Sequence, residues 1–373
     1  MVGSTRRRGL FLAVLTLLAT TAFSACGSSG NGSGATSGSG SSAAPASIGS
    51  LVTASKSENA LNVYANIPAE LFKHVLDQFT SLYPWIKVND NELSDPEIFS
   101  KVTAEQAQGA PSADLMISTY PLGFAQAGQR GILKTDYSPA GLQNFPSWAK
   151  QGPGEYVMEA DPLLVGMNTK ELDAAHQPHS YDDLAKLADA GQPLTTYPIS
   201  HPIGYAAVWA YTTQKGEPAW QTLARIAKTT KTIDDGTTQL EAALKGQFAA
   251  GYFSSGLGRA FVPQYKGLFE MSYTSDFQEL IPRGMAIPSK ASHPASAQLF
   301  MDFVYSQAGQ ETLCAAGMTA FANGFQSSTG CTNSLADLQA HVPAANIYVI
   351  PFSTKLLDEQ AKITARWNTL GFK

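Results

Sequence analysis

Cysteine is scarce in this chain: there are three in 373 residues, at positions 26, 314 and 331, and none in C-x-x-C spacing. Charge is thin as well, at 15% Asp, Glu, Lys and Arg with a formal net charge of −5. After Arg6, Arg7 and Arg8 no run of Lys or Arg follows. The basic stripe that nucleic-acid binders carry is therefore missing. No stretch approaches the about 20 apolar residues that a membrane span needs; Leu10–Leu18 falls short, and nothing longer follows. Catalytic signatures are equally lacking: there is no G-x-S-x-G elbow and no H-E-x-x-H. The nearest approach to a phosphate loop, Gly246 to Gly251, is followed by Tyr252 where Lys is required. These absences argue against an enzyme and imply no cofactor and no metal centre. What remains, 44% hydrophobic residues with 32 Gly and 21 Pro, describes a globular protein.

The N-terminus reads as a targeting segment. The three arginines precede the apolar stretch, and small residues lead to Phe23-Ser24-Ala25-Cys26, which resembles a lipobox. On that reading residues 1–25 are a lipoprotein signal peptide and Cys26 becomes the lipidated first residue. An ordinary secretory signal beside an unrelated cysteine is the alternative. The segment 26–57 is rich in Gly, Ser, Ala and Thr, and no aromatic residue follows Cys26 before Tyr64. Such a chain cannot bury enough apolar surface to offset its ordering entropy, so it is expected to be a flexible tether of about 30 Å. Anchor and tether support each other. In an exported protein disulfides persist, so Cys314 and Cys331 are expected to be bridged, which stabilises by about 3 kcal/mol in the chain-entropy model. Two buried free thiols are the alternative.

The remaining length exceeds what one hydrophobic core usually serves, and two lobes follow. Leu61–Ala65 reads as a strand. A helix then starts at Pro68, with Leu71, Phe72, Val75, Leu76 and Phe79 on one stripe. Ile86–Val88 is a second strand. Ser94 and Glu97 have capping-box spacing for a helix to about Gln108, and Ala113–Ser118 is a third strand. Further on, Pro162–Met167 is an apolar run, Tyr181 opens a helix, and Pro193–His201 is a loop feeding an aromatic helix. Helices are also expected over 220–228, 239–245, 295–306 and 354–369, with strands at 248–253 and 285–288. This alternation predicts an α/β protein with parallel sheets covered by helices.

The ordered set of segments resembles the type 2 periplasmic binding proteins, the solute-binding components of bacterial ABC importers, in the branch that includes ferric-ion, phosphonate and hexose-phosphate binders. Carrying it are Leu61–Tyr64, Tyr83-Pro84, Ala113–Met116, Leu164–Thr169 and Tyr181–Leu184. The most specific is His293–Phe303 followed by Gly309-Gln310, and Arg366–Asn368 also fits. The resemblance implies two lobes, each a mostly parallel sheet flanked by helices, joined by two crossing strands. Residues 58–164 and 285–373 would form lobe one and 165–284 lobe two. It also implies a small solute held between the lobes, a permease and its ATPase as partners, a monomer, and a place on the outer face of the bacterial cytoplasmic membrane.

Ligands of open α/β sheets sit beyond the carboxyl ends of the strands. Four loops qualify there and nominate Tyr64, Asn66, Ser118, Thr119, Tyr120, Ser200, His201, Tyr252 and Arg259 as ligand contacts. Hydroxyls with backbone N–H groups at helix starts suit an anion, and Arg259 could add a fork of donors, so the reading leans to a phosphorylated, phosphonate or other oxyanionic solute. Ser118 and Thr119 could instead merely cap a helix, and Arg259 could serve an interlobe ion pair. Ferric binders of the family often use adjacent tyrosines, and this chain has no Tyr-Tyr pair. An organic cation such as thiamine or a polyamine, caged by Tyr120, Tyr205, Trp209 and Tyr252 with Asp161 at the hinge, stays open beside ferric iron. A surface lipoprotein serving adhesion or sensing is the alternative outside transport.

Overall fold

The computed structural model describes residues 48–373, and Cys26 and the expected signal peptide lie outside them. The elements run α1 (Ile48–Glu58), β1 (Ala60–Ala65), α2 (Ala69–Leu82), β2 (Lys87–Glu92), α3 (Asp95–Gln108), β3 (Leu115–Ser118) and α4 (Pro121–Gln129). Next come β4 (Lys150–Gly152), β5 (Glu155–Asn168), α5 (Tyr181–Asp189), β6 (Leu194–Thr196), α6 (Pro202–Lys215), α7 (Glu217–Ile226), β7 (Thr230–Thr232) and α8 (Gly236–Leu244). The chain ends with β8 (Ala250–Ser255), β9 (Phe269–Ser272), β10 (Gln278–Ala286), α9 (Pro294–Val304), α10 (Gln307–Ala315), α11 (Leu335–His341), β11 (Ile347–Val349) and α12 (Thr354–Asn368).

The strand order β2-β1-β3-β10-β5-β8-β6-β7 follows from two parallel groups joined through antiparallel neighbours. In the first lobe β1 pairs in parallel with β2 and β3, and β10 runs antiparallel to β3. In the second, β6 pairs in parallel with β7 and β8. The long strand β5 belongs to both: Tyr156 to Pro162 pair with β10, and Leu163 to Asn168 pair with β8 and β9. β5 and β10 are thus the crossing strands, and the fold is the expected two-lobe α/β arrangement. Every residue of β5 is buried.

Local chemistry explains the elements. Phe72, Val75 and Phe79 form the buried face of α2 and meet Phe300 of α9, with ring centroids 6.2 and 5.2 Å from Phe72 and Phe79. Burying each such side chain contributes about 1.5–3 kcal/mol. At the start of α3 the capping box is realised, with the Ser94 N–H donating to Glu97 at 3.0 Å. Gly109 then ends the helix at φ 67°, a left-handed cap that a side chain would strain. Cys314 and Cys331 are bridged, with their Cα atoms 6.0 Å apart.

Two expected boundaries need correction. The tether was to reach residue 57, yet Ile48–Glu58 is a helix. Its Leu51 and Ser55 are buried, and Ser55 accepts from the Trp85 indole at 3.0 Å. Glu58 accepts from the backbone of Ala295 and Ser296 at 2.9 and 2.7 Å, supplying the anion that the start of α9 favours. Tertiary contacts thus override a composition that looked disordered.

The end of the tail is the second correction: expected in lobe one, α12 packs against α4 of that lobe and also against α6 of the second. Leu356, Ile363 and Trp367 join the cluster of Tyr205, Trp209 and Leu223. The Trp209 indole donates to Glu359 at 2.5 Å, and Lys373 exchanges backbone bonds with Thr230 and Thr232 beside β7.

Candidate functional site

Where β5 and β10 cross between the lobes, a chain of buried polar groups gathers around Arg283, which is 2% exposed. Its guanidinium donates to Glu159 at 2.6 Å, to the Asn66 carbonyl at 3.0 Å and to the Asn66 side-chain oxygen at 2.5 Å. It also lies 3.7 Å from Asp161. An arginine fork inside an apolar strand holds its charge only when carboxylates share the burial. Glu159 also accepts from the Thr319 N–H at 3.1 Å. Asp161 accepts from the Ser255 hydroxyl at 2.5 Å and the Gly256 N–H at 2.7 Å, tying the hinge to the end of β8. Burial, with Glu159 next, pushes the Asp161 carboxyl well above the ordinary carboxylate range, and Arg283 only partly opposes them.

The loops beyond β1 and β3 extend the network. The Asn66 amide donates to the Thr119 hydroxyl at 2.8 Å. Asp95, the first residue of α3, accepts from the Ser118 hydroxyl at 2.5 Å, the Thr119 N–H at 3.0 Å and the Thr119 hydroxyl at 3.1 Å. Ser118 then accepts from the Tyr120 N–H at 3.1 Å. The donors nominated for an anionic solute are thus already engaged by the protein's own carboxylate. Tyr120 stands half-buried, its ring edge-on to Phe99 at 5.8 Å. Burial raises its hydroxyl pKa, and Asp95 adds to the rise.

From the second lobe, Tyr197 and His201 face this cluster. Their rings stack at 4.0 Å, and His201 caps α6 by accepting from the Ile203 N–H at 3.1 Å on Nδ1. Burial lowers the His201 pKa, and the charged groups that act on it are three aspartates, Asp95, Asp234 and Asp235. The Tyr197 hydroxyl pKa is raised by burial first, then by Asp235, Asp161, Asp95 and Asp234. The charges that act on these two rings are therefore acidic. Beside them lies a cavity of about 190 Å³ whose walls include Pro68, Tyr197, Leu240, Leu257, Phe261 and Met271.

Of the other nominated residues, Tyr64, Tyr252 and Arg259 lie elsewhere. Tyr64 turns its ring to the α3 side of the sheet and donates to Glu105 at 3.2 Å, because alternate residues of β1 face opposite sides. Tyr252 is fully buried in the second-lobe core, 3.4 Å from the Thr230 hydroxyl. Ser200 is exposed one residue before the His201 cap. Arg259 donates to the Tyr273 hydroxyl at 2.6 Å, and Tyr273 donates to Asp337 of α11 at 2.9 Å, so its fork serves a structural link. The expected aromatic cage does not assemble: Tyr205 and Trp209 pack against α12 and Tyr252 is in the core. Asn66, Ser118, Thr119, Tyr120 and His201 remain at the cleft.

Sequence reasoning passed over Asp95, Glu159 and Arg283 as contacts. The signal for two of them was present: an arginine within the apolar strand Leu280–Ala286 demands a buried acid, and Glu159 interrupts the similarly apolar Tyr156–Leu164. Among the described residues no three His, Cys, Asp or Glu side chains are grouped to hold a metal ion.

The model of the family described as bacterial extracellular solute-binding protein matches residues 64–311. A substrate-binding protein of an ABC transporter from Agrobacterium tumefaciens superposes with a TM-score of 0.74 at 19% identity, covering 86% of this chain and 97% of its own. The periplasmic binding protein AfuA of Actinobacillus pleuropneumoniae, with fructose-6-phosphate bound, gives 0.67 at 20% identity, covering 83% and 98%. Iron-bound HitA of Pseudomonas aeruginosa gives 0.65 at 18% identity, covering 84% and 99%. No protein of curated function matches the sequence.

Proposed function

We infer that this chain, which belongs to the bacterial extracellular solute-binding protein family, serves an ABC importer by capturing a positively charged organic solute between its two lobes. Similar structures do not choose the charge of the solute, since one holds a sugar phosphate and another holds iron. The occupied donors favour a cation. Asp95 accepts from Ser118 and Thr119, so the backbone and hydroxyl groups suited to an oxyanion are satisfied by a resident one. An incoming phosphate would meet Asp95, Asp234 and Asp235 around Tyr197, with Arg283 already shared among Glu159, Asp161 and Asn66. A cation meets the same groups as partners, and the half-buried Tyr120 adds an aromatic ring. This reading departs from the oxyanionic lean of the sequence.

Capture is reversible. The solute stabilises the closed arrangement of lobes by its differential affinity and leaves when the permease favours opening. Lipidation of Cys26 would hold the protein on the outer face of the cytoplasmic membrane, and Cys26→Ala should then move it to the soluble fraction.

Thermal melting with spermidine, thiamine, a sugar phosphate and a phosphonate tests the charge of the solute. A cation present at 100 times its dissociation constant should add about 2.7 kcal/mol, and Asp235→Asn should weaken that cation about tenfold. Stabilisation by the anions alone would return the assignment to an oxyanion.

A further inference from the structure

Besides the crossing strands, a polar tie joins the two lobes. Tyr273 follows β9 of the second lobe, yet its ring packs against the first-lobe core. Its hydroxyl accepts from Arg259 at 2.6 Å and donates to Asp337 of α11 at 2.9 Å. The guanidinium carbon also lies 4.2 Å from the centre of the ring. A phenol between unlike charges accepts from the base and donates to the acid, so each bond polarises the other. Burial leads the causes that push the Tyr273 pKa up to about 12, and the hydroxyl therefore keeps at neutral pH the proton it donates.

The first-lobe end of the tie is itself held. Helix α11 sits on an arm that starts at Cys331, which is bridged to Cys314 of α10. The arm is laced to the segment after α10: the Ala320 N–H donates to the Asn333 carbonyl at 3.0 Å, and the Leu335 N–H to the Ala320 carbonyl at 2.8 Å. Leu338 and Val342 are buried in the first-lobe core. Farther along, the Asn346 amide donates to the Ser275 carbonyl at 2.8 Å, two residues past Tyr273. The arm thus meets the second lobe at two points while a covalent staple fixes its root in the first. Bonds between bodies that move against each other are made in one arrangement and lost in another. Their free energy therefore enters the equilibrium between arrangements.

We propose that the arm 331–346 is an interlobe latch. Tyr273 and Asp337 are positioning residues that favour the lobe spacing described here, and the disulfide serves capture by holding α11 in place for them. Apparent affinity scales with the fraction of molecules in the competent spacing, so the latch adjusts affinity through spacing. It acts whatever the charge of the solute, and its test is separate from thermal melting with cations and anions.

Distances between spin labels measure the spacing directly. The full chain carrying Cys26→Ala takes one label at Lys73→Cys on α2 and the other at Lys245→Cys after α8, both exposed positions. Tyr273→Phe keeps the ring and removes the hydroxyl. It should shift or broaden the distances by more than about 2 Å, the scale of a domain rearrangement. Asp337→Asn should do the same, and also serves should Tyr273→Phe fail to fold. The two together should do no more than either alone, because they share one bond. Cys314→Ala with Cys331→Ala should broaden the distances too. Unchanged distances in both single variants, whatever their melting temperatures, would overturn the latch. Additive changes would overturn the shared bond, and unchanged distances in the cysteine variant would overturn the part of the disulfide.

Discussion

Arg283 is the residue on which the most depends, because it alone balances Glu159 and Asp161 where the lobes meet. Replacing it with Met strands two buried carboxylates, and removal of one partner of a buried ion pair costs about 3–5 kcal/mol. Urea denaturation of Arg283→Met at neutral pH should read a loss of that size; a loss below about 1 kcal/mol would mean the carboxylates find other partners. Glu155 presents the opposite case, a buried carboxylate seated against Gly128 and Gly152, whose Cβ atoms would lie 2.7 and 2.3 Å from its oxygens. Burial pushes its carboxyl up from 4.5 to about 7. A carboxyl raised in the folded state binds its proton more tightly there than in the unfolded chain. Its contribution is therefore full below pH 4.5 and is lost as pH rises through about 7. The loss is on the order of 3 kcal/mol. Stability measured from pH 4.5 to 8 should fall, and Glu155→Gln should flatten part of the slope. An unchanged slope would exclude Glu155 as its source.

At the scale of elements, α1 and the disulfide make separable contributions. Glu58 serves the start of α9 with three bonds, two to backbone N–H groups and one to the Ser296 hydroxyl at 2.8 Å. Glu58→Ala should cost about 1 kcal/mol in denaturant unfolding, the usual worth of a helix cap. Reduction of Cys314–Cys331, 17 residues apart, should cost about 3 kcal/mol and lower the melting temperature. Titration of thiols should find those two only after reductant.

Elements whose residues carry their own instructions were legible in the sequence. The stripe of α2 and the capping box of α3 announce themselves locally, and α2 starts within a residue of its expected position. α1 was not legible, since Ser, Thr, Ala and Lys give little amphipathic signal and its order comes from Trp85 and α9, distant in sequence. The cleft was half legible for a similar reason. Strand ends pointed to Asn66, Ser118 and Thr119, whereas the identity of their partner, Asp95, depends on how α3 meets β3. Tyr64 and Tyr252 were misplaced because the facing of a strand residue depends on register.

For the molecule as a whole, β5 decides how the two lobes respond to stress. It contributes Val157, Met158 and Ala160 to the first-lobe core, and Leu163, Val165 and Met167 to the second. Neither core can dissolve without exposing part of a strand buried along its full length. Calorimetric melting should therefore give one transition, with both cores lost together; two resolved transitions would show that β5 does not couple them. Truncation before Thr354 should lower that transition, because Leu356, Ile363 and Trp367 cover Tyr205 and Trp209. A melt unaffected by the truncation would make α12 dispensable to the core.

The carboxylate of Asp95 also bears on how such a protein changes its cargo over generations. A single exchange, Asp95→Ser, would vacate three donors at the loop after β3 and remove one negative charge from the cleft. The scaffold, the hinge and the surfaces far from the cleft would be untouched. A duplicated copy could thus offer a new set of donors to its solute in one mutational step, with Asp234 and Asp235 still in place.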